Sequence, residues 1–270
     1  MLFDYCAPRA AQAGFNAVTL TGGVARCYDA NGNEIRSSDG REIDYDIANL
    51  PTKIAIGLDS TEFRYGPSGE RYARIDTRIG NGAAITYYIG AVEVSAALTK
   101  RHVAGMVQHL ATAGNGAVTS VTTYYQLTDH LGSVDVLLTE AGAESERMSF
   151  DAHGSRRDTE NWVTLSPSDA SLFQSQLTRF GYTGHEQVDR FGLIHMNGRI
   201  YDPRIGRFVQ ADPLVEDAFT TQGINRFAYV LNNPLSLTDP TGHLSWSQVR
   251  PYVGIAVAIA LGQAELRDSH

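Results

Sequence analysis

The chain has 270 residues and a mass of 29.4 kDa, with 43% hydrophobic and 19% charged residues, a net charge of −8 and a pI near 5.4. That length accommodates about two domains or one large all-β domain, and the apolar fraction is enough for a packed core, which argues against wholesale disorder. Acidic charge without a run of Lys or Arg argues against a nucleic-acid partner. Two cysteines, Cys6 and Cys27, exclude a disulfide-stapled scaffold and a four-cysteine zinc site, and leave a single bridge between them open.

The N-terminus, Met1-Leu2-Phe3-Asp4-Tyr5, has no basic region followed by an apolar run and is not a secretory signal peptide. It reads as strand material that opens abruptly, which points to further sequence upstream. The expectation is a chain that is cytoplasmic before export and then secreted or delivered to the cell surface without a cleaved signal. The apolar stretch Val253 to Leu261 is about half the length a bilayer span needs, so no stable membrane span is expected.

Between these ends, glycine-rich clusters recur: Asp29-Ala30-Asn31-Gly32, Ser38-Asp39-Gly40, Gly66-Pro67-Ser68-Gly69, Gly80-Asn81-Gly82, Gly114-Asn115-Gly116 and Asp151-Ala152-His153-Gly154. Gly and Asn reach positive φ cheaply, so these clusters favour hairpin turns over phosphate cradles. β-type runs separate them, such as Ala84 to Ile89 and Val118 to Tyr125. Val134, Val136 and Leu138 alternate with Asp135 and Leu137, a period of two with one apolar face. An aromatic followed by Asp or Gly, with Gly or Asn about four residues on, recurs at Tyr28, Tyr45, Tyr65 and Phe150. The first three are 17 and 20 residues apart (45 − 28 and 65 − 45). One hairpin per unit predicts a stack of similar hairpins, because a lone hairpin is marginal and stacking buries its faces. Helical pattern is scarce: a helix-compatible stretch around Ala96 to Lys100, a short segment from Ser166 to Leu177, and a terminal helix after Ser245.

Two stretches carry a more specific signal. The first runs from Tyr124 to Val134 and contains Asp129-His130-Leu131-Gly132-Ser133-Val134. The second runs from Arg179 to Gly242. It contains Tyr182-Thr183-Gly184-His185-Glu186, Arg199-x-Tyr201-Asp202-Pro203, Gly206-Arg207-Phe208, Asp212-Pro213-Leu214, Tyr229-x-x-Asn232-Asn233-Pro234 and Asp239-Pro240-x-Gly242. In that order they resemble the Rhs repeat-associated core domain, the C-terminal part of Rhs and YD-repeat proteins of the polymorphic toxin type.

The resemblance implies a mainly β fold of stacked antiparallel β-hairpins, a YD-repeat spiral or shell fragment, with a C-terminal core plug and a short C-terminal helix. It implies degenerate hairpin repeats over residues 1–120, the core domain over 121–242, and a tail over 243–270 that begins a variable or truncated effector region. At about twenty residues per hairpin, the chain supplies roughly a dozen hairpins, too few to close a large cocoon. The implied function is a shell segment that encloses or presents a C-terminal effector segment, in a secreted effector of interbacterial competition. The implied partners are the chain's own C-terminal segment or upstream Rhs repeats, with a secretion apparatus and an immunity protein as further candidates.

Family members often cut themselves after the core by chemistry resembling that of an aspartic protease. Residue by residue, that resemblance assigns the two carboxylates to Asp212 and Asp239, the assisting guanidinium to Arg199, and the cleavage site to His243 and Leu244. Two close carboxylates cannot both ionise, so one keeps a proton as acid while the other activates water, and a guanidinium orients one of them. The family's leucine directly after D-P-x-G is His243 here, with Leu244 one residue later. The same Asp-Pro pairs also read as turn starters. His102, His109, His130, His153, His185 and His195 share no metal-ligand spacing, so neither metal nor cofactor is expected. His130 and His185 read as packing and hydrogen-bonding residues, and the tyrosines as cross-strand packing, with a carbohydrate-binding surface as the competing use.

Overall fold

The computed structural model describes Cys6 and residues 16–243, apart from 97, 114–115, 167–168, 170–174, 176 and 215–218. The expected terminal helix, the candidate residue Leu244, the Met1 to Tyr5 segment and most of the Ser166 to Leu177 segment lie outside the described residues.

Fourteen strands follow one another as one antiparallel meander, each paired with its sequence neighbour. They are β1 (Leu20–Thr21), β2 (Val24–Tyr28), β3 (Glu34–Ser37), β4 (Arg41–Tyr45), β5 (Pro51–Ile56), β6 (Asp59–Tyr65), β7 (Arg71–Arg78) and β8 (Gly82–Ile89). The series continues with β9 (Val92–Val94), β10 (Leu98–Val103), β11 (Met106–Thr112), β12 (Val118–Thr128), β13 (Val134–Thr139) and β14 (Glu144–Arg147). A second antiparallel sheet holds β15 (Glu186–Val188), β16 (Leu193–Met196), β17 (Arg199–Asp202) and β18 (Arg207–Phe208). This is the expected hairpin architecture.

One turn recurs through the chain and explains the aromatic-Asp-Gly periodicity. At 29–33, 46–50, 66–70, 129–133 and 151–155 the first residue's N–H donates to the carbonyl four residues on, and the fourth residue's N–H donates back to the first carbonyl. The fourth residue is Gly32, Asn49, Gly69, Gly132 or Gly154, each at positive φ. Where Asp comes first, its Oδ1 accepts two more backbone N–H groups, as Asp29 does from Asn31 and Asn33. The side chain thereby satisfies donors the turn would leave open.

Two local expectations are corrected. The stretch around Ala96 to Lys100 is not helical: β10 begins within it at Leu98, because Val92, Val94, Thr99 and Val103 stiffen an extended backbone and pair across the sheet, Thr99 with Val94. β13 does not have a single apolar face. Val134 and Val136 are buried, but so is Leu137, which joins Val107, Val134 and Met148 in a core cluster. A register shift at Leu127/Thr128 puts Val134 on the same side as Leu137.

The two sheets pack over β4, β5 and β6. Ile43, Ile54 and Phe63 meet Val188, Phe191, Leu193, Ile200 and Val209, and each of the eight is at most 3% exposed. Side chains of this size contribute about 1.5–3 kcal/mol each on burial. The tyrosines of the C-terminal motifs, Tyr182, Tyr201 and Tyr229, form a second cluster with Ile194, Met196 and Phe208. Ring centroids of Tyr201 and Tyr229 lie 4.7 Å apart.

Buried ion pairs join the layers. Arg41 reaches Glu34 at 2.5 Å and Asp202 at 3.1 Å, and all three side chains are at most 1% exposed. Arg74 reaches Glu186 at 2.6 Å, Arg71 also pairs with Glu186, and Tyr88 donates to it at 2.8 Å. Such charges persist in an interior only because each carboxylate is matched and hydrogen-bonded. Cys6 and Cys27 are joined as a disulfide, the bridge the sequence left open.

Candidate functional site

Arg199, Asp212 and Asp239, far apart in sequence, meet beside the β16–β17 turn. Arg199 opens β17, where strand pairing of Met196 with Arg199 fixes its backbone. Its guanidinium carbon lies 3.6 Å from the centroid of the Phe208 ring on β18, a cation–π seat that restricts its rotation. Asp212 follows β18, and its N–H donates to the Arg226 carbonyl at 2.8 Å. Asp239 begins a tight loop that returns across the turn: Asn197 Nδ2 donates to the Pro240 carbonyl at 2.9 Å, and Gly198 N–H to the Thr241 carbonyl at 2.9 Å. Gly242 sits at φ +77°, and a Cβ there would collide with the Met196 carbonyl oxygen. Only glycine brings the loop this close.

All three residues are buried, at 3%, 4% and 2% exposure for Arg199, Asp212 and Asp239. One guanidinium nitrogen, Nη2 of Arg199, lies 2.7 Å from Asp212 Oδ2 and 3.6 Å from Asp239 Oδ2. Arg199 Nη1 donates to the Arg226 carbonyl at 3.1 Å, and its Nε donates to the Gly242 carbonyl. Asp239 Oδ1 accepts the backbone N–H of Gly242 at 2.9 Å and of His243 at 3.1 Å. Asp212 Oδ1 accepts the Leu214 N–H at 2.9 Å and lies 3.5 Å from His243 Nδ1. The expected cleavage residue His243 therefore touches both carboxylates, one through its ring and one through its peptide N–H. Both Asp residues also anchor their local turns, as the competing reading of the Asp-Pro pairs required.

The cluster can polarise one carbonyl, that of Gly242, while holding a carboxylate against the nitrogen of the peptide bond that follows. Residues missed from the sequence were Arg226, whose carbonyl and Nε both engage Asp212, and Gly198, whose Cα the His243 ring covers. The Asn197-Gly198-Arg199 triplet was the available signal: a glycine beside a buried arginine marks a close approach.

His185, His130 and His109 have structural partners. His185 is buried, and burial pushes it down to about 4 while a ring N–H donates to the Pro240 carbonyl of the candidate loop. Its neighbour Glu186 is engaged by arginines instead. Burial raises the Glu186 carboxyl, but Arg71, Arg74 and Arg179 outweigh burial and hold it well below the usual carboxylate range. His130 bonds the Leu235 carbonyl at 3.0 Å and His109 the Leu177 carbonyl at 2.7 Å. Among the described residues, no group of three or more His, Cys, Asp or Glu side chains could hold a metal ion. No described helix is long and apolar enough to cross a membrane.

No family model matches the chain. It is 37% identical over 90 residues to salivary gland surface protein 1 of Aedes aegypti, covering 33% of this chain and 2% of that protein. It is 26% identical over 240 residues to the tRNA3(Ser)-specific nuclease WapA of Bacillus spizizenii, covering 86% of this chain and 10% of the nuclease. The chain thus spans a tenth or less of these relatives' lengths. Among solved structures it resembles TcdB2-TccC3-TEV with a TM-score of 0.62 at 21% identity, covering 80% of this chain and 11% of that one. The sequence matches relate the chain to Rhs-type toxin proteins, and the structural likeness shows the shared β-hairpin shell fold.

Proposed function

We propose that this chain is a shell and closing segment of a larger Rhs-type toxin protein, and that it encloses or presents the polypeptide that follows Gly242. The observation that carries this reading is the second sheet, seated on the meander by buried pairs such as Arg74–Glu186 and carrying the Asp239–His243 loop. Gly242 and His243 lie directly against the Arg199 cluster. A reporter peptide fused after residue 270 should be cut by trypsin about tenfold more slowly in wild type than in Glu186→Ala, which loosens the closing sheet. Equal rates would remove this reading.

The geometry at Arg199 favours a second reading, a single self-cleavage of the Gly242–His243 bond. Arg199 Nε polarises the Gly242 carbonyl, Asp212 stands as the base, and Asp239 lies 3.1 Å from the departing nitrogen of His243. Water would lose one proton to Asp212 as its oxygen adds to the carbonyl carbon. The C–N bond then breaks, the nitrogen takes a proton from the dyad, and a Gly242 carboxylate and a free His243 amine result. Intact mass of the purified chain tests it: a product short of 29.4 kDa by residues 243–270 supports cleavage. Asp212→Asn and Asp239→Asn should then stay whole. A wild-type chain that never shortens would end this second reading.

A further inference from the structure

His243 stands where the resembling family carries leucine, and its ring is not idle. Nδ1 is buried, makes no hydrogen bond, and points at Asp212 Oδ1 from 3.5 Å. Nε2 lies over the Cα of Gly198 so closely that any Cβ there would strike it. The ring is therefore seated in a notch that only glycine leaves open. The charged groups facing it are Asp212 through Nδ1, Asp239 through the His243 N–H, and Arg199, which bridges the two carboxylates. Arg226 reaches only the Asp212 backbone carbonyl.

We propose that His243 is a proton-operated gate on the dyad: when its imidazole is charged it takes Asp212 Oδ1 and withholds the carboxylate from water. This rests on the self-cleavage reading above and adds its regulation. An imidazole gains its charge only by taking up a proton, so the gate closes on the acid side. Charged, the ring joins Arg199 and the Leu214 N–H as a third group around the Asp212 carboxylate and competes with water for Oδ1. Neutral, the ring has no charge with which to compete, and the Oδ1 lone pair not used by the Leu214 N–H can take a water. A leucine can do neither. The residue that leaves with the tail thus regulates its own departure.

The test follows cleavage of the full 270-residue chain by intact mass from pH 5.5 to 8, comparing wild type, His243→Leu, His243→Gln and His243→Leu/Asp212→Asn. At pH 5.5, His243→Leu should cut at least about tenfold faster than wild type, with the gap closing by pH 8. His243→Gln, uncharged and of similar reach, should follow His243→Leu in lacking the acid-side suppression, which keeps the test informative if leucine disturbs the loop. The double variant should remain whole. Equal rates and equal pH profiles in wild type and both single variants would overturn the gate while leaving the self-cleavage reading intact. No shortening of any variant at any pH would overturn both. A wild type that is uncut at pH 5.5 beside a His243→Leu chain that is cut would be the strongest support.

Discussion

The stretch of meander from β4 to β7 and the stretch from β8 to β12 are built from the same hairpins, yet their outward surfaces differ. β4 to β6 carry the second sheet, and their inward residues Ile43, Ile54 and Phe63 are at most 1% exposed. On β8 the inward residues Thr86 and Tyr88 still find Arg179 and Glu186, but the other face shows Ile85, Tyr87 and Ile89 to solvent. Strand register carries that face from Tyr87 through half-buried Val94 and Thr99 and buried Leu110 to exposed Val121, with Tyr125 and Leu127 farther along β12. Ile85, Tyr87, Ile89, Val121, Tyr125 and Leu127 are all more than 40% exposed. A single-layer sheet buries one face at most. Its stability is concentrated where a second layer lies on it, and substitutions should separate accordingly.

The largest expected effect is Glu186→Ala, which strands Arg71 and Arg74 without their shared carboxylate. Removing one partner of a buried ion pair costs about 3–5 kcal/mol, measured as the shift in urea-unfolding free energy. A loss near 1 kcal/mol would show that the layers are held by apolar contact alone.

Next comes acidification. The folded value of His185, about 4, lies below the ordinary 6.5, so the unfolded chain binds more protons between these limits. Stability should be complete above pH 6.5 and fall through the window down to pH 4, by about 3 kcal/mol from this residue. Buried His195 lies well below 6.5 and adds in the same direction. Asp202 is a depressed carboxylate: burial opposes its charge, but Arg41, Arg204 and Arg26 prevail and hold it near 2. Its contribution should survive to about pH 4 and disappear only below that. A denaturation midpoint that is flat from pH 7 to 4 would contradict the histidine assignment.

Smaller still is a pair of glycine substitutions. Gly242→Ala meets the Met196 carbonyl at positive φ and should cost at least about 2 kcal/mol. Gly105→Ala, at φ +73° with nothing within 4 Å, should cost only about 1 kcal/mol of backbone strain. Melting temperatures of the two variants check the order. Last, Tyr87→Ser on the open face should change stability by no more than about 0.5 kcal/mol. A larger loss would mean that this face is covered in solution.

Much of this was legible beforehand. The aromatic-Asp-Gly spacing marked the hairpin turns because the backbone demands positive φ at one position and Asp supplies the acceptor at another. Arg199, Asp212 and Asp239 were identified because the motifs preserve their order, and folding brings them to one guanidinium. What could not be read was set by register and distance. Leu137 turns inward through a one-residue shift that no periodicity reveals. The bond from His185 to the Pro240 carbonyl spans two motifs whose spacing says nothing of contact. The Ala96 to Lys100 stretch misled because alanine favours helix locally, while its partners Val94 and Ala111 lie on neighbouring strands.

The ion pairs between the layers also govern the order of events on the ribosome. Arg41 waits for Asp202 across 161 residues, and Arg74 for Glu186 across 112. Hairpins close from neighbouring sequence within microseconds, so Arg41 can meet Glu34 and Arg74 can meet Asp76 early, but at synthesis rates of about 5–20 residues per second their cross-layer carboxylates arrive on the order of ten seconds later. For that interval the face of the meander that will later be its interior carries local pairs such as Arg41 with Glu34 and Arg74 with Asp76. The charges that finally weld the two sheets thus make the unfinished meander's future interior polar before the second sheet exists to cover it.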